Sequence, residues 1–229
     1  MIIKNRQFQR REPSLTAKLI IIYCEGGRRE PAYFKYFRGI SHKIKLEVVA
    51  AGQHSNNSPS GLFDQAKNDI FGSETETPIY KPTTEDDVWF VIDTDTWGEK
   101  VEELRENCAT HQNWKIAQSN PCFEVWLYYH KKDEIPIFDK VHISKPWKEY
   151  VNTVVFKDEG GFDSRKHPSL IKNAIINAEN NFSMINGEPK IGTTEVYNLA
   201  KDIFKLTQFA FEEVTKNQVN NNTEDKQKK

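Results

Sequence analysis

Along the middle of the chain, apolar runs of strand length alternate with segments whose apolar residues recur at helical spacing. That alternation predicts an α/β fold in which crossover helices join the strands of an open, mainly parallel sheet. Lys18 to Cys24 (KLIIIYC) is a continuous β-branched run, as expected of a central strand covered on both faces. A Glu25-Gly26-Gly27 turn follows it, Pro31 suits a first helical position, and Tyr33, Phe34 and Phe37 then keep a helical period. Leu46 to Ala51 reads as the second strand. Pro59-Ser60 opens a helix with Leu62, Phe63, Ala66 and Ile70 on one face, and Asp87 to Ile92 is the third strand.

Gly98 to Thr110 is helical, with Val101, Leu104 and Cys108 inward and an acidic start that suits the helix dipole. Trp114 to Ala117 gives a short fourth strand, after which Ser119-Asn120-Pro121 offers a cap and an N1 proline to a helix from Cys122 to His130. Trp147, Val151 and Val154 allow a helix near residues 146–155. Two further helices are expected over Ser169 to Phe182 and Thr194 to Val214, packed as a helical extension on the sheet. The chain thus divides into a polar basic leader (1–16), an α/β core (17–130), a helical extension (131–214) and a disordered Asn-, Gln- and Lys-rich tail (215–229).

Composition narrows the partners. Thirty-two Lys and Arg residues against 33 Asp and Glu leave a formal charge of -1, so there is no global basic excess to hold nucleic acid or an anionic membrane. Contact with a polyanion must come from local patches or a metal. Cys24, Cys108 and Cys122 are odd in number and far apart, which fits neither a disulfide framework nor a zinc set and suits a reducing cytoplasm. With no signal-like or membrane-length apolar run, the expectation is a soluble, cytoplasmic protein without a membrane partner.

The chemistry collects at strand ends. In an open parallel sheet, functional groups gather beyond the C-terminal ends of the strands. Glu25 directly follows strand 1, and Asp93 and Asp95 directly follow strand 3. Three carboxylates held together repel unless a cation neutralises them, and hard oxygen donors select Mg²⁺ or Mn²⁺. Such an ion equips a site for phosphodiester chemistry. Glu124 falls in the first turn of the helix after strand 4, at the same sheet edge, where a carboxylate also simply suits the helix dipole. Arg28 and Arg29 stand at the mouth of the site with forked donors suited to a substrate phosphate. The pairs Arg10-Arg11 and Arg165-Lys166, with His167, are further candidates for tracking a phosphate backbone. His130 and the aromatic stripe Tyr33, Phe34, Phe37 and Trp126 read as packing.

The segments IIIYCEGGRREPAYFKYF, VWFVIDTDTW and QSNPCFEVWLYYH together resemble the RloB family, whose members carry a Toprim-like domain and occur in prokaryotic defence loci. The resemblance spans roughly residues 18 to 210, and the Asn-Pro-Cys-Phe-Glu-Val-Trp-Leu block is its most distinctive part. It implies that Glu25, Asp93 and Asp95 bind Mg²⁺ or Mn²⁺ during phosphoryl transfer and that Glu30 helps hold another metal. Arg29 precedes Glu30 where the pattern commonly has a smaller residue such as Thr. The resemblance further implies a nuclease of an anti-phage, abortive-infection type, acting on DNA or RNA, including tRNA, with a separately encoded RloA-type ATPase. Self-association is left open.

Two other readings stand beside it. The acid cluster could serve a noncatalytic metal- or nucleotide-binding module. Asp93-Thr94-Asp95-Thr96 also fits the nucleophile loop of haloacid-dehalogenase-like phosphatases, but that loop normally opens its domain, whereas here a strand-helix-strand-helix segment precedes it.

Overall fold

The computed structural model describes residues 8, 10–51, 57–94 and 97–227, with side chains through residue 213. Four parallel strands, β1 (Lys18–Cys24), β2 (Ile44–Ala50), β3 (Asp87–Asp93) and β4 (Trp114–Asn120), are joined by helices α1 (Arg29–Lys35), α2 (Pro59–Phe71) and α3 (Glu99–Ala109). After β4 come α4 (Glu124–Tyr128), α5 (Ser144–Tyr150), a π-helical turn over Val151–Val155, and α6 (Ile171–Asn181). A small hairpin of β5 (Met184–Ile185) and β6 (Glu188–Pro189), the short β7 (Thr193–Thr194) and α7 (Val196–Gln227) complete the chain. The main sheet has the order β2-β1-β3-β4-β7, with β7 antiparallel to β4.

Both faces of the sheet are covered, which is why the central strands β1 and β3 read as nearly continuous apolar runs. Ile20, Ile22 and Cys24 of β1 and Trp89 and Val91 of β3 point into a large core shared with α1, α4, α5, α6 and α7. Leu19, Ile21 and Tyr23 alternate with Val88, Phe90 and Ile92 on the other face, under α2 and α3. Helices α1 and α2 therefore lie on opposite faces, and the chain reverses its winding between β1 and β3.

Ser58 caps α2, accepting the Gly61 N–H at 3.2 Å, and Pro59 takes the first helical position. Pro31 instead stands third in α1, which begins at Arg29; a missing N–H is harmless anywhere in the first turn. Around β4 the structure differs from the sequence expectation. Ser119 and Asn120 do not cap a helix but extend the strand, because Thr194 and Thr193 of β7 pair with them on one side and Asp93 pairs with Ser119 on the other. The following helix starts only at Glu124, with Phe123 at its N-cap position and no side-chain cap.

The helix expected near residues 146–155 is α5 running into the π-helical turn, and Trp147 and Val151 are buried in the large core. Helix α7 continues past Val214 to Gln227, through the segment whose composition marks it as a tail, since a packed helix propagates at low cost once nucleated. Among the described residues no helix is long and apolar enough to cross a membrane.

Candidate functional site

The reversal of winding opens a crevice at the C-terminal ends of β1 and β3, the position where open α/β sheets bind ligands. Glu25 leaves β1 with its N–H bonded to the Val91 carbonyl at 3.0 Å, which fixes it against β3. Its carboxylate turns across the strand ends. Oε2 accepts the backbone N–H of Asp93 at 2.9 Å and Oε1 accepts the Trp97 indole N–H at 2.7 Å. Glu25 and Asp93 are thus neighbours, as the strand order requires. Asp95, the third acid expected here, lies outside the described residues.

Two more acids complete one wall. Glu30, in the first turn of α1, is 8% exposed, and its carboxylate folds back over Gly26. A Cβ on Gly26 would overlap that carboxyl group, so glycine is needed here for space rather than for a special φ. Glu124, at the start of α4, is buried and receives Nη1 of Arg29 at 2.8 Å. Burial, then the negative charges of Glu124 and Glu25, push the Glu30 carboxyl up to about 7. Glu25, Glu30, Asp93 and Glu124 line a cleft of about 660 Å³ together with three cations, Arg28, Arg29 and Lys148.

Several parts of this site were not singled out from sequence. Lys148 reaches the cleft from α5, more than a hundred residues after Glu30, and only tertiary packing brings it there. Asn57, just ahead of α2, lines the same cleft. Behind Asp93, Thr94 donates both its N–H and its hydroxyl to the Ser119 carbonyl, at 2.9 Å each. The fully buried Gln118 donates its amide N–H to the same hydroxyl at 2.9 Å and is itself held by Arg105 at 2.7 Å, which is paired with Glu195. A chain of polar contacts from α3 and the end of β7 therefore anchors the loop that carries Asp93. Its sequence signal was the polar Gln118-Ser119-Asn120 run at the end of an otherwise apolar strand.

The remaining candidates fall elsewhere. His130 is buried, its Nδ1–H directed to the Trp126 carbonyl at 3.0 Å and its Nε2 facing the Tyr33 hydroxyl at 3.1 Å. Burial drives its pKa down to about 3, so it is a neutral packing group. Arg165 pairs with Asp163, and both Lys166 and the buried His167 face Glu159. Arg11 pairs with Glu213 at 3.0 Å. The Arg11, Arg165 and Lys166 pairs lie at the exposed surface, where such contacts contribute little to stability. Cys24, Cys108 and Cys122 are buried free thiols.

A family model described as RloB-like protein matches residues 20–203, most of the chain. The chain belongs to the RloB-like family. No curated protein and no solved structure gave a match. In this RloB-like chain the matched span runs from β1 into α7, so it takes in the cleft and every described residue that lines it.

Among the described residues, no three His, Cys, Asp or Glu side chains stand as a ready-made metal-ligand group. The donor chemistry nonetheless suits a hard divalent cation. Four carboxylates, from the turn after β1 and from α1, β3 and α4, line one cleft, and burial, with the charges of Glu124 and Glu25 added, lets Glu30 hold a proton near neutral pH. As they lie, Glu25 is turned to Asp93 and Trp97, and Glu124 to Arg29.

Proposed function

We propose that this RloB-like protein is a Mg²⁺- or Mn²⁺-dependent nuclease with a Toprim-like core. The observation that carries the reading is the four-carboxylate cleft at the switch point between β1 and β3, flanked by Arg28, Arg29 and Lys148. Glu25, Asp93 and Asp95 would hold the ion, with Glu30 and Glu124 as further acids. A bound divalent ion supplies charge neutralisation at a phosphate oxygen and lowers the pKa of its water. The chain's own part is to fix the acids: the Asp93 N–H and Trp97 orient Glu25, and the Gln118–Thr94 contacts brace the loop after β3. Arg28, exposed at the rim, is placed to receive a substrate phosphate.

Sequence-independent affinity for nucleic acid comes from Lys and Arg neutralising phosphates, and this chain has a net charge of -1. Arg11, Arg165 and Lys166 are exposed, but each is paired with an acid that offsets its charge locally, and His167 is buried against Glu159. Efficient cleavage is therefore assigned to a complex with the RloA-type ATPase that the family resemblance implies, in an anti-phage defence role. The full chain should be assayed with Mg²⁺ or Mn²⁺ on plasmid DNA, single-stranded DNA, total RNA and tRNA, with and without an ATPase encoded beside it. Cleavage that needs the metal and is lost in Asp93→Asn is the expected result. Silence under every condition would overturn the reading in favour of a noncatalytic binding module.

A further inference from the structure

Arg29 occupies an unusual place for a candidate phosphate ligand. It is the first residue of α1 and is one-third exposed, yet its Nη1 is committed at 2.8 Å to Glu124, whose side chain is 3% exposed. Glu124 and the buried Glu30 share one wall of the cleft, and the charge of Glu124 adds to the cost of ionising Glu30. A buried carboxylate stripped of water needs a cation beside it. Arg29 supplies that cation while itself lining the open cleft.

We infer that Arg29 is a displaceable internal counter-ion that neutralises Glu124 in the metal-free protein, yields that carboxylate to an incoming divalent cation, and is thereby released toward substrate phosphate. The inference rests on the metal-site reading above. Its consequence is that Arg29 competes with metal: the metal-free fold is protected from two adjacent buried negative charges, and metal affinity is correspondingly reduced. Arg29 then becomes available as a phosphate ligand only once the cation is in place, so metal loading and substrate capture occur in order.

The test is a calorimetric Mn²⁺ titration of the full-length wild type, Arg29→Gln, Glu124→Gln and the double variant. Arg29→Gln should bind Mn²⁺ roughly tenfold more tightly than wild type, and this gain should vanish in the Glu124→Gln background, because the two residues act through one pair. Arg29→Lys, which keeps the charge, should stay close to wild type. A second readout needs no variant. The Arg29 Nε–H resonance of the wild type should shift on saturation with diamagnetic Mg²⁺ as the guanidinium leaves Glu124. Unchanged or weaker Mn²⁺ binding in Arg29→Gln, a gain that persists without Glu124, or a resonance unmoved at saturation would overturn the inference while leaving the metal site intact. Absence of Mn²⁺ binding in wild type and Arg29→Gln alike would instead overturn the metal site itself, and this inference with it.

Discussion

The backbone N–H of Asp93 donates to the carboxylate of Glu25 at 2.9 Å, joining the ends of two adjacent parallel strands through one side chain. The bond fixes the separation of the two acids to the sheet register itself. The bond uses the Asp93 backbone, so exchanging its carboxylate for the isosteric amide keeps it.

Asp93→Asn and Glu25→Gln should therefore fold. Glu25→Gln loses at most one of the two bonds that Glu25 accepts, a cost of about 1 kcal/mol. Wild type at a Mg²⁺ concentration about 100 times its Kd should gain about 2.7 kcal/mol of stability, and each variant close to none. Thermal melts with Mg²⁺ and with chelator make the comparison. Equal gains in all three proteins would remove these two residues from the site.

Glu30 makes the metal-free protein sensitive to alkali. Its folded-state pKa of about 7 lies above the usual 4.5, so the stabilisation it contributes is fully present below about pH 4.5 and is lost as pH rises through 7. The total is of order 3 kcal/mol. In chelator, stability should fall between pH 5 and 8 in wild type, and Glu30→Gln should flatten that part of the profile. Denaturant melts across this range would show it, and identical profiles would mean that the Glu30 carboxyl is neither desolvated nor crowded by its acidic neighbours in the folded protein.

Gly26→Ala should be costly because of Glu30 alone. The added methyl group overlaps the Glu30 carboxyl, which must leave its seat between the acids. Truncating Glu30 to Ala should relieve most of the cost. The double-mutant cycle is expected to give a coupling of about 1–3 kcal/mol, and additive costs would show that the glycine answers a backbone demand instead.

His130 should not titrate in the physiological range. Its pKa is lowered from 6.5 to about 3, so the stability it contributes is present above pH 6.5 and is lost as pH falls toward 3. The ring C–H resonances should stay flat from pH 8 to 5 by NMR. A midpoint near 6.5 would show that the ring is hydrated and that its contact with Tyr33 opens.

Much of this arrangement could be read from the sequence because it depends on local pattern. KLIIIYC and DVWFVID are apolar apart from charged terminal residues since helices cover both sheet faces, and that same burial places Glu25 and Asp93 at the exits of adjacent strands. The features that escaped are those made by distant partners. Ser119 and Asn120 resemble a helix cap until Thr193 and Thr194, a two-residue strand with no periodic signal, pair with them. The pairing of Arg29 with Glu124, 95 positions away, is invisible to local pattern. Lys148 escaped for the same reason, lying on a helix whose apolar residues predict packing and not the cleft at its end.

The central claim is that a divalent cation binds among these carboxylates. Anomalous difference maps from crystals soaked in Mn²⁺, recorded near the manganese absorption edge, test it directly. The account predicts a peak in the cleft bounded by Glu25, Asp93 and Glu124, with the Arg29 guanidinium moved off Glu124. A cleft without anomalous density at saturating Mn²⁺, or a peak only at sites remote from these acids, would contradict it.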